Sequence, residues 1–565
     1  MELDEIRSRA LRWALANALE HEGKADLKAV IGKLMAEMPE LRPRAKEIRQ
    51  IVERVVGEVN RLSPAEQLAK LEELGPLEVA RRREAKGLPE LPDVDRYPKV
   101  VTRFAPNPNG PLHIGHVRAA LLSHEYARMY GGKFILRFED TNPANAMLEM
   151  YDLIRLDLRW LGIKWDEEYV QSDRLEVYYR YAEKLIAGGR AYVCTCDAPA
   201  FKRLRDRGEP CPCRELPADE QLRRWRGMLE GEFGEEEAVV RIKTDLKHPN
   251  PAVREWPALR VVTFPHPRVG RRYRVWPLYN FSVAIDDHEM GVTHVIRGKE
   301  HLVNEMRQKT LFEHLGWTPP AALQYGRLTM AGAMLSKTQI IRGVREGKFL
   351  GYDDPRLATI AALRRRGFSP EAVRQVILDL GLTPVDAALS WETLYAYNRR
   401  FMDAKANRYF FVASPVRLLV HGVPGIDEAR LRLHPSYPER GERVLPLLRE
   451  GDVLTAYLAG EDASRLEVGT IFRLKDLMNV ELKSKGPPLE GDFRGLELMD
   501  VPKLQWVSAG GVEVEVLMPD ASLVRGLAEP SVAGLEVGEV VQFERFGFVR
   551  VDAVQPKISV VYGHR

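Results

Sequence analysis

The sequence has few cysteines, almost no net charge and no long apolar run. Four cysteines in 565 residues are too few for a disulfide-stabilised secreted scaffold. The 84 basic and 81 acidic side chains leave a net charge of +3, so a nucleic acid would have to bind at local basic patches. No apolar run reaches the ~18 residues of a membrane span, and the charged N-terminus lacks a signal-peptide core. We therefore expect a cytoplasmic protein of several domains, without a membrane segment.

Residues 1–97 are predicted to form a helical module followed by a linker. Apolar residues recur at helical spacing from Leu11 to Leu19 and again from Ile48 to Val59. The segment GLPELPDVDRYP then breaks any helix with its prolines. We expect a docking or stabilising module that is joined flexibly to the rest of the chain.

A βαβ unit is predicted within residues 98–189. KVVTRF and KFILRFED have the pattern of buried strands, and HIGHVRAALLSHEYARMY between them has the pattern of a helix. A strand, a helix and a second strand in this order predict a parallel sheet. Ligands of such sheets bind in the crevice at the carboxyl ends of the strands.

The rest of the chain divides into four further segments, which differ in their residue patterns. Residues 190–275 are irregular and hold all four cysteines, residues 276–350 return to strands and helices, and residues 351–408 look helical. Across residues 409–565, short strand-like runs alternate with turns, which is typical of β-barrels or sandwiches. The predicted fold class is a multidomain α/β protein with an all-β C-terminal part.

The loop before the first long helix is the most informative segment. Pro106 and Gly110 belong to a stiff, glycine-hinged turn that leads into His113-Ile114-Gly115-His116. Free backbone N–H groups at a helix start favour an anion, and Gly115 lets a flat ring or a sugar approach the backbone. A lone H-x-x-H pair is more often structural, or one edge of a metal site. Here a strand feeds a Pro/Gly loop into a helix start, which favours a nucleotide site.

The segment His113-Ile114-Gly115-His116 resembles, letter for letter, the HIGH signature of class I aminoacyl-tRNA synthetases. Later in the chain, Met334-Leu335-Ser336-Lys337-Thr338 is similar to the KMSKS signature of that class, with Met334 in place of its first lysine. The resemblance implies that His113, His116 and Lys337 are catalytic. It also implies an ATP site formed by Pro106, Gly110, His113, Gly115, His116, Ser336 and Lys337.

The flanking segments resemble the glutamyl/glutaminyl branch of the class. The similar stretches include TRFAPNPNGPLHIGH, LRFEDTNP and DDHEMGVTHVIRGKEHL. The resemblance implies a Rossmann-like catalytic domain in two halves, 98–189 and 276–350, around an acceptor-arm insertion at 190–275. A helical connector at 351–408 and anticodon-binding β-barrels at 409–565 would follow. The barrels and the short N-terminal module are most similar to the archaeal glutamyl type.

Four residues match the positions at which glutamyl members of this branch hold their amino acid: Arg103, Glu139, Tyr279 and Arg297. Arg297 would neutralise the side-chain carboxylate of glutamate, because a guanidinium binds a carboxylate in a bidentate manner. Facing neutral glutamine, the same arginine would be half-paired, at a cost of roughly 2–5 kcal/mol. Alternatively, Arg297 makes only a structural ion pair with Glu300 or Asp287.

The resemblance implies glutamate–tRNA ligation by a monomer. ATP with Mg²⁺ would activate glutamate to glutamyl-adenylate, and the glutamyl group would pass to the terminal adenosine of tRNA(Glu). Whether tRNA(Gln) is also charged stays open. Three alternatives remain: a glutaminyl-tRNA synthetase, a non-catalytic tRNA-binding paralogue, and a truncated relative that modifies a tRNA base.

The four cysteines form two C-x-C pairs: Cys194, Cys196, Cys211 and Cys213. Two such pairs can close a tetrahedral thiolate site with Zn–S distances of ~2.3 Å. Four protein ligands leave no open position, so a zinc ion here would be structural. Free buried thiols and a redox pair are the alternatives.

Three arginine runs are candidates for binding the phosphates of tRNA. They are Arg203, Arg205 and Arg207; Arg271, Arg272 and Arg274; and Arg364, Arg365 and Arg366. A charge run is usually a solvated face, but beside a synthetase core we expect these runs to follow the phosphate backbone.

Overall fold

The computed structural model describes residues 3–20, 23–38, 41, 44–63, 66–67, 70 and 88–565. The chain separates into two compact units, residues 1–89 and residues 90–565. Among the described residues, no helix is long and apolar enough to cross a membrane.

The first unit contains three described helices: α1 (Leu3–Glu20), α2 (Leu27–Glu37) and α3 (Ala45–Val59). Their apolar faces share one core, in which Ala14, Leu15 and Val52 are fully buried. The helical periodicity predicted from the sequence is therefore confirmed for these segments. The predicted module also includes residues 71–87, which lie outside the described residues.

The second unit begins with an α/β region that extends to residue 402. Its helices are α4 (Ile114–Met129), α5 (Leu148–Trp160), α6 (Leu175–Ala187), α7 (Ala198–Arg207), α8 (Ala218–Glu230), α9 (Tyr279–Glu289), α10 (Leu302–Leu315), α11 (Lys337–Arg345), α12 (Ile360–Arg365), α13 (Pro370–Leu380) and α14 (Trp391–Met402). Its strands are β1 (Val101–Phe104), β2 (Lys133–Phe138), β3 (Glu167–Val170), β4 (Ala191–Cys194), β5 (Val239–Ile242), β6 (Pro257–Val261), β7 (Val275–Pro277), β8 (His294–Gly298), β9 (Ala321–Tyr325), β10 (Leu328–Met330) and β11 (Ala387–Leu389).

A parallel sheet forms the centre of this region. Strands β1, β2 and β3 pair in parallel, and β8 pairs in parallel with β9. The amide of Thr293, just before β8, donates to the carbonyl of Val101 in β1 over 2.9 Å. Strand β1 therefore lies between β2 and β8, and the chain switches direction across the sheet at the β1/β8 border. In open α/β sheets such a switch point is where ligands bind.

The stretch that we expected to be irregular, residues 190–275, is folded. Strands β4, β5, β6 and β7 form an antiparallel sheet, with α7 and α8 between β4 and β5. Trp225, Trp256 and Trp276 are fully buried in its core. The strands are short and separated by long connections, so alternation along the sequence is hard to detect.

The C-terminal region is all-β apart from one short α-helix, α15 (Gly460–Arg465), and two 3-10 turns at Pro438–Arg440 and Pro530–Gly534. Its strands are β12 (Arg408–Tyr409), β13 (Phe411–Ala413), β14 (Val416–His421), β15 (Glu428–Arg432), β16 (Glu442–Pro446), β17 (Arg449–Glu450), β18 (Val453–Leu458), β19 (Ile471–Leu474), β20 (Met478–Ser484), β21 (Leu489–Phe493), β22 (Lys503–Leu504), β23 (Trp506–Ser508), β24 (Val512–Leu517), β25 (Leu523–Ala528), β26 (Val540–Phe543), β27 (Gly547–Ala553) and β28 (Ile558–His564).

Two closed sheets are built from these strands. In the first, β22 pairs with β19 and the adjoining β23 pairs with β18, which joins the two ends of the order β18-β14-β21-β20-β19. In the second, β12 pairs with β26 and the adjoining β13 pairs with β25, which closes the order β26-β27-β28-β24-β25. Closure removes exposed strand edges, and it confirms the expected β-barrel character.

The linker predicted before the α/β region is partly packed. Leu91 is buried, and the carbonyl of Pro92 lies 2.8 Å from Nε2 of His294. The ring of Tyr97 packs edge-to-face against the same imidazole, with the ring centroids 5.6 Å apart. Proline excludes regular structure from this segment but not tertiary contact, so the expectation of a flexible connection is wrong for residues 91–97.

The arginine run at 364–366 makes contacts within the protein. Arg364 pairs with Asp157 over 3.0 Å, and Arg365 pairs with Asp552 over 2.7 Å. Arg366 is 2% exposed and donates to the carbonyl of Gly563. These arginines join α12 to α5 and to the second barrel. Arg366 is too deeply buried to contact tRNA, whereas contact by Arg364 and Arg365 stays a prediction.

Candidate active site

A cavity of about 1280 Å³ opens at the carboxyl ends of β1 and β8. It brings together segments that are far apart in the sequence. The predicted site residues that line it are Arg103, Pro106, His113, Gly115, His116, Glu139, Tyr279, Arg297, Ser336 and Lys337. Gly110 lies beside this lining, against Lys337.

The start of α4 is built around the two histidines. His113 is the N-cap of the helix, and its Nδ1 accepts the amide of Gly115 over 3.1 Å. Nδ1 of His116 accepts the amide of His113 over 3.2 Å. Because a backbone N–H is always the donor, both rings must carry their proton on Nε2. Each histidine is thereby fixed as a neutral Nε2–H donor.

Electrostatics keep these rings neutral. Burial, together with the nearby charge of Lys337, lowers the pKa of His113 to about 4. Burial likewise holds the pKa of His116 well below its usual value, with the neighbouring His113 and Lys337 adding to the effect. The helix start therefore presents hydrogen-bond donors and the helix dipole to a ligand, a combination that suits phosphate oxygens.

Lys337 is the first residue of α11 and crosses to the loop that follows β1. Its Nζ donates to the carbonyl of Asn107 over 3.0 Å and to Oδ1 of Asn109 over 3.1 Å. Burial lowers the pKa of Lys337 to about 8. A Cβ at Gly110 would lie 3.2 Å from Cβ of Lys337, so the glycine allows this approach. Ser336 caps α11 through its side chain.

A buried ion-pair network supports the floor of the cavity. Arg103 on β1 makes two contacts with Asp287, of 3.2 and 3.3 Å. Arg137 on β2 bridges Asp287 (2.7 Å) and Glu139 (3.0 Å). Burial alone would raise the pKa of Asp287, but Arg103 and Arg137 hold it below its usual value. The network fixes Arg103 and Glu139, which both face the cavity.

Arg137 and Asp287 were not identified from the sequence, although a signal was present. Arg137 interrupts the apolar run at residues 134–138 of strand β2 and is fully buried. A charged residue inside a buried strand requires a partner, so it points to a polar cluster nearby.

Tyr279 and Arg297 form the opposite side of the cavity. Tyr279 begins α9, and its hydroxyl lies 3.3 Å from Nδ1 of His301. Arg297, on β8, is buried and donates to Oε1 of Gln308 over 2.9 Å. Neither of the alternative partners named above, Glu300 or Asp287, pairs with Arg297 in the described structure; its ion pair within 4 Å is with Glu305.

The four cysteines lie together at the end of β4 and in the turn after α7. Their sulfur atoms are all within 4.8 Å of one another: Cys194, Cys196, Cys211 and Cys213. The Sγ distances are 3.9 Å between the first and third and 3.7 Å between the second and fourth. Thr195 and Arg224 donate to Sγ of Cys213 over 3.5 Å each. The cluster has the composition of a metal site.

The arginine runs at 203–207 and 271–274 lie on the insertion, where their side chains are exposed or half-buried. Their contact with tRNA stays a prediction.

Comparisons with known proteins place the chain among tRNA synthetases. The family model described as "tRNA synthetases class I (E and Q), catalytic domain" matches residues 99–404. Two models described as anti-codon binding domains of the same group match residues 406–497 and 503–552.

Curated relatives match over nearly the whole chain. A glutamate–tRNA ligase of Pyrococcus abyssi is 52% identical over 99% of this chain and 100% of its own length. Those of Thermococcus kodakarensis and Methanopyrus kandleri are 52% and 49% identical, each over 100% of both chains. A solved glutamate tRNA ligase from Elizabethkingia meningosepticum is 26% identical, covers 55% of this chain and 70% of that one, and has a TM-score of 0.40. The family models and the identity over the full length lead to one conclusion: the chain belongs to the class I tRNA synthetases of the E and Q group.

Proposed function

We propose that this protein is a glutamate–tRNA ligase of the archaeal type. The observation that carries the proposal is the single cavity shared by the histidines of α4, by Lys337 and by the buried Arg297. The full-length relatives bear the same activity in their names.

The first reaction is adenylate formation from glutamate and magnesium-bound ATP. Nε2–H of His113 and of His116 would donate to phosphate oxygens at the start of α4, where the helix dipole also favours negative charge. Lys337 would leave its contacts with Asn107 and Asn109 and bind the leaving phosphates as a cation. Glutamate itself supplies the attacking α-carboxylate, so the protein contributes positioning and electrostatic stabilisation.

The amino acid would be held between the two charged walls of the cavity. Glu139 would accept the ammonium group, and Arg297 would bind the side-chain carboxylate, while Arg103 and Tyr279 complete the pocket. This assignment favours glutamate over glutamine, because only glutamate brings a carboxylate into direct contact with the buried guanidinium.

The second reaction transfers the glutamyl group to the terminal adenosine of tRNA(Glu). The β4–β7 insertion would bind the acceptor arm, and the two barrels would read the anticodon. Such an enzyme acts as a cytoplasmic component of protein synthesis, and we propose that it works as a monomer. Charging of tRNA(Gln) is the second substrate to test.

The cysteine cluster would hold one structural zinc ion. Tetrahedral coordination with Zn–S of ~2.3 Å requires sulfur atoms about 3.8 Å apart. The observed pairs, at 3.9 and 3.7 Å, already meet this distance. The donors from Thr195 and Arg224 would stabilise the thiolate of Cys213 when the metal is bound.

Aminoacylation with purified components tests the proposal. Labelled glutamate should become acid-precipitable on tRNA(Glu) in the presence of ATP and Mg²⁺, and labelled glutamine should not. Preference for glutamine would indicate a glutaminyl-tRNA synthetase, and tRNA binding without charging would indicate a non-catalytic paralogue. A parallel reaction with tRNA(Gln) determines whether that tRNA is also glutamylated.

A further inference from the structure

Arg297 is held in place by a neutral side chain. Its Nη1 donates to Oε1 of Gln308 over 2.9 Å, and the two residues are 6% and 7% exposed. Within the described part of the chain, the one carboxylate within 4 Å of this guanidinium is Glu305, whose Oε2 is 3.9 Å from Nη2. That distance is too long for a hydrogen bond. Nε of Arg297 has no hydrogen-bond partner among the described residues.

Glu305 is committed to other partners. Its Oε1 lies 2.9 Å from Nζ of Lys309, and its Oε2 accepts from Nε2 of Gln324 over 2.7 Å. Lys309 balances the charge of this carboxylate at closer range than Arg297 does. Glu305 still attracts Arg297 at 3.9 Å, but Lys309 lies nearer to this carboxylate and offsets part of its negative charge.

Gln308 is itself oriented by a second amide. Its Nε2 donates to Oδ1 of Asn280 over 3.4 Å, and Asn280 follows Tyr279 at the start of α9. With the amide nitrogen directed to Asn280, the amide oxygen is the atom that faces Arg297. The guanidinium is therefore positioned by an acceptor that carries no net charge.

We propose that Gln308 is a positioning residue that sets the amino-acid specificity of the cavity. It fixes Arg297 without adding a negative charge, so the guanidinium can bind a ligand carboxylate, and Lys309 offsets part of the charge of Glu305. The inference rests on the glutamate-binding role proposed above for Arg297. A carboxylate at position 308 would form a buried ion pair with Arg297 and weaken the attraction for an acidic side chain.

Gln308→Glu is the direct test, since it adds a carboxylate with almost no change in volume. In ATP–pyrophosphate exchange measured with tRNA(Glu) present, the KM for glutamate should rise at least about tenfold. The ratio of kcat/KM for glutamate over glutamine should fall by a similar factor, and the KM for ATP should stay unchanged. If Gln308 had only a structural role, Gln308→Glu would not change this ratio without also lowering the melting temperature.

Lys309→Met provides a second test at a position that is 53% exposed, where folding is not at risk. Without the lysine, the full negative charge of Glu305 acts on Arg297. The KM for glutamate should therefore rise, but by less than in Gln308→Glu. Lys309→Arg keeps the cation and should behave as wild type. Gln375→Glu makes the same charge change on α13, away from the cavity, and controls for the added charge.

The outcomes separate the two levels of the proposal. A wild-type enzyme that does not activate glutamate would refute the proposed function itself. A wild-type enzyme that prefers glutamate, with an unchanged KM and an unchanged preference in Gln308→Glu, would overturn the role of Gln308. If Gln308→Glu does not fold, Lys309→Met decides: a raised KM for glutamate supports the inference, and an unchanged KM rejects it.

Discussion

The rings of His113 and His116 lie with their centroids 3.7 Å apart, and each accepts a backbone amide through Nδ1. Two signature histidines are thus connected to each other and to the helix that they begin. The same contacts that cap α4 define which nitrogen of each ring can donate to a ligand.

Loss of either Nε2–H donor should slow adenylate formation. His113→Asn keeps an acceptor for the helix cap, and His116→Ala removes the second ring. Each variant should reduce kcat by about 10²–10³-fold, the cost of removing one transition-state hydrogen bond. ATP–pyrophosphate exchange measures the rate, and thermal melting checks the fold. A folded variant with the wild-type kcat would show that the histidine does not act on the phosphates.

The charge of Lys337 should impose an alkaline limit on activity. A lysine is charged below its pKa, and the pKa of Lys337 in the free protein is lowered to about 8 by burial. The kcat/KM for ATP should therefore decrease above about pH 8, because kcat/KM follows groups of the free enzyme. Lys337→Arg, charged throughout this range, should lose that decrease even if its absolute rate is lower. If the wild type and Lys337→Arg lose activity alike above pH 8, the decrease comes from the titration of another group.

Replacement of Arg297 should weaken both the binding and the selection of glutamate. Arg297→Met should raise the KM for glutamate about 30-fold or more, the range expected for a lost partner of a buried charge. Arg297→Lys keeps the charge but cannot bind a carboxylate in a bidentate manner, so its KM for glutamate should lie between those of the wild type and Arg297→Met. Competition between labelled glutamate and glutamine measures the selectivity. An unchanged KM in Arg297→Met would mean that the arginine is only structural.

Metal analysis of the purified protein should find one zinc per chain. Cys194→Ser and Cys213→Ser should each abolish binding and lower the melting temperature, because three thiolates no longer close the site. Thr195→Val keeps all four thiolates and the backbone N–H of residue 195, but removes the hydroxyl that lies 3.5 Å from Sγ of Cys213, so it should retain zinc with weaker affinity. If the wild-type protein contains no metal and the cysteine variants melt at the same temperature as it does, the zinc assignment is wrong.

Asp157 should make the stability depend on pH. Burial raises the pKa of this carboxyl to about 7, although Arg364 opposes the shift. With a folded pKa above the unfolded value, the contribution to stability is present below about pH 4 and is lost as the pH rises through 7. Asp157→Asn should flatten the free energy of unfolding across this window and stabilise the protein relative to wild type at pH 8. Urea titrations at several pH values measure both effects, and parallel curves for the two proteins would contradict the assignment.

Local patterns in the sequence were enough to predict residues that line the cavity. The strand before Pro106, the helix after His113 and the loop that carries Lys337 are each recognisable within a few residues of sequence. Their chemistry converges because parallel strands bring their carboxyl ends to one edge, a rule that needs no knowledge of long-range contacts.

Partners far apart in the sequence could not be predicted in this way. The run at 364–366 has the composition of a phosphate-binding surface, but Arg364 pairs with a residue 207 positions away. Gln308 was not singled out, since a glutamine on a helix carries no signal until its contact with Arg297 is known. Charge and composition indicate what a residue can bind, whereas the fold decides which partner it meets.

The closure of the second barrel by residues 408–413 affects how the chain can be assembled during translation. These residues leave the ribosome before the whole of the first barrel, yet their strand partners, β25 and β26, are synthesised only after it. One barrel is therefore nested within the sequence of the other. A stop codon placed after β23 would therefore do more than remove β24–β28. It would also leave β12 and β13, which are already synthesised, without their strand partners.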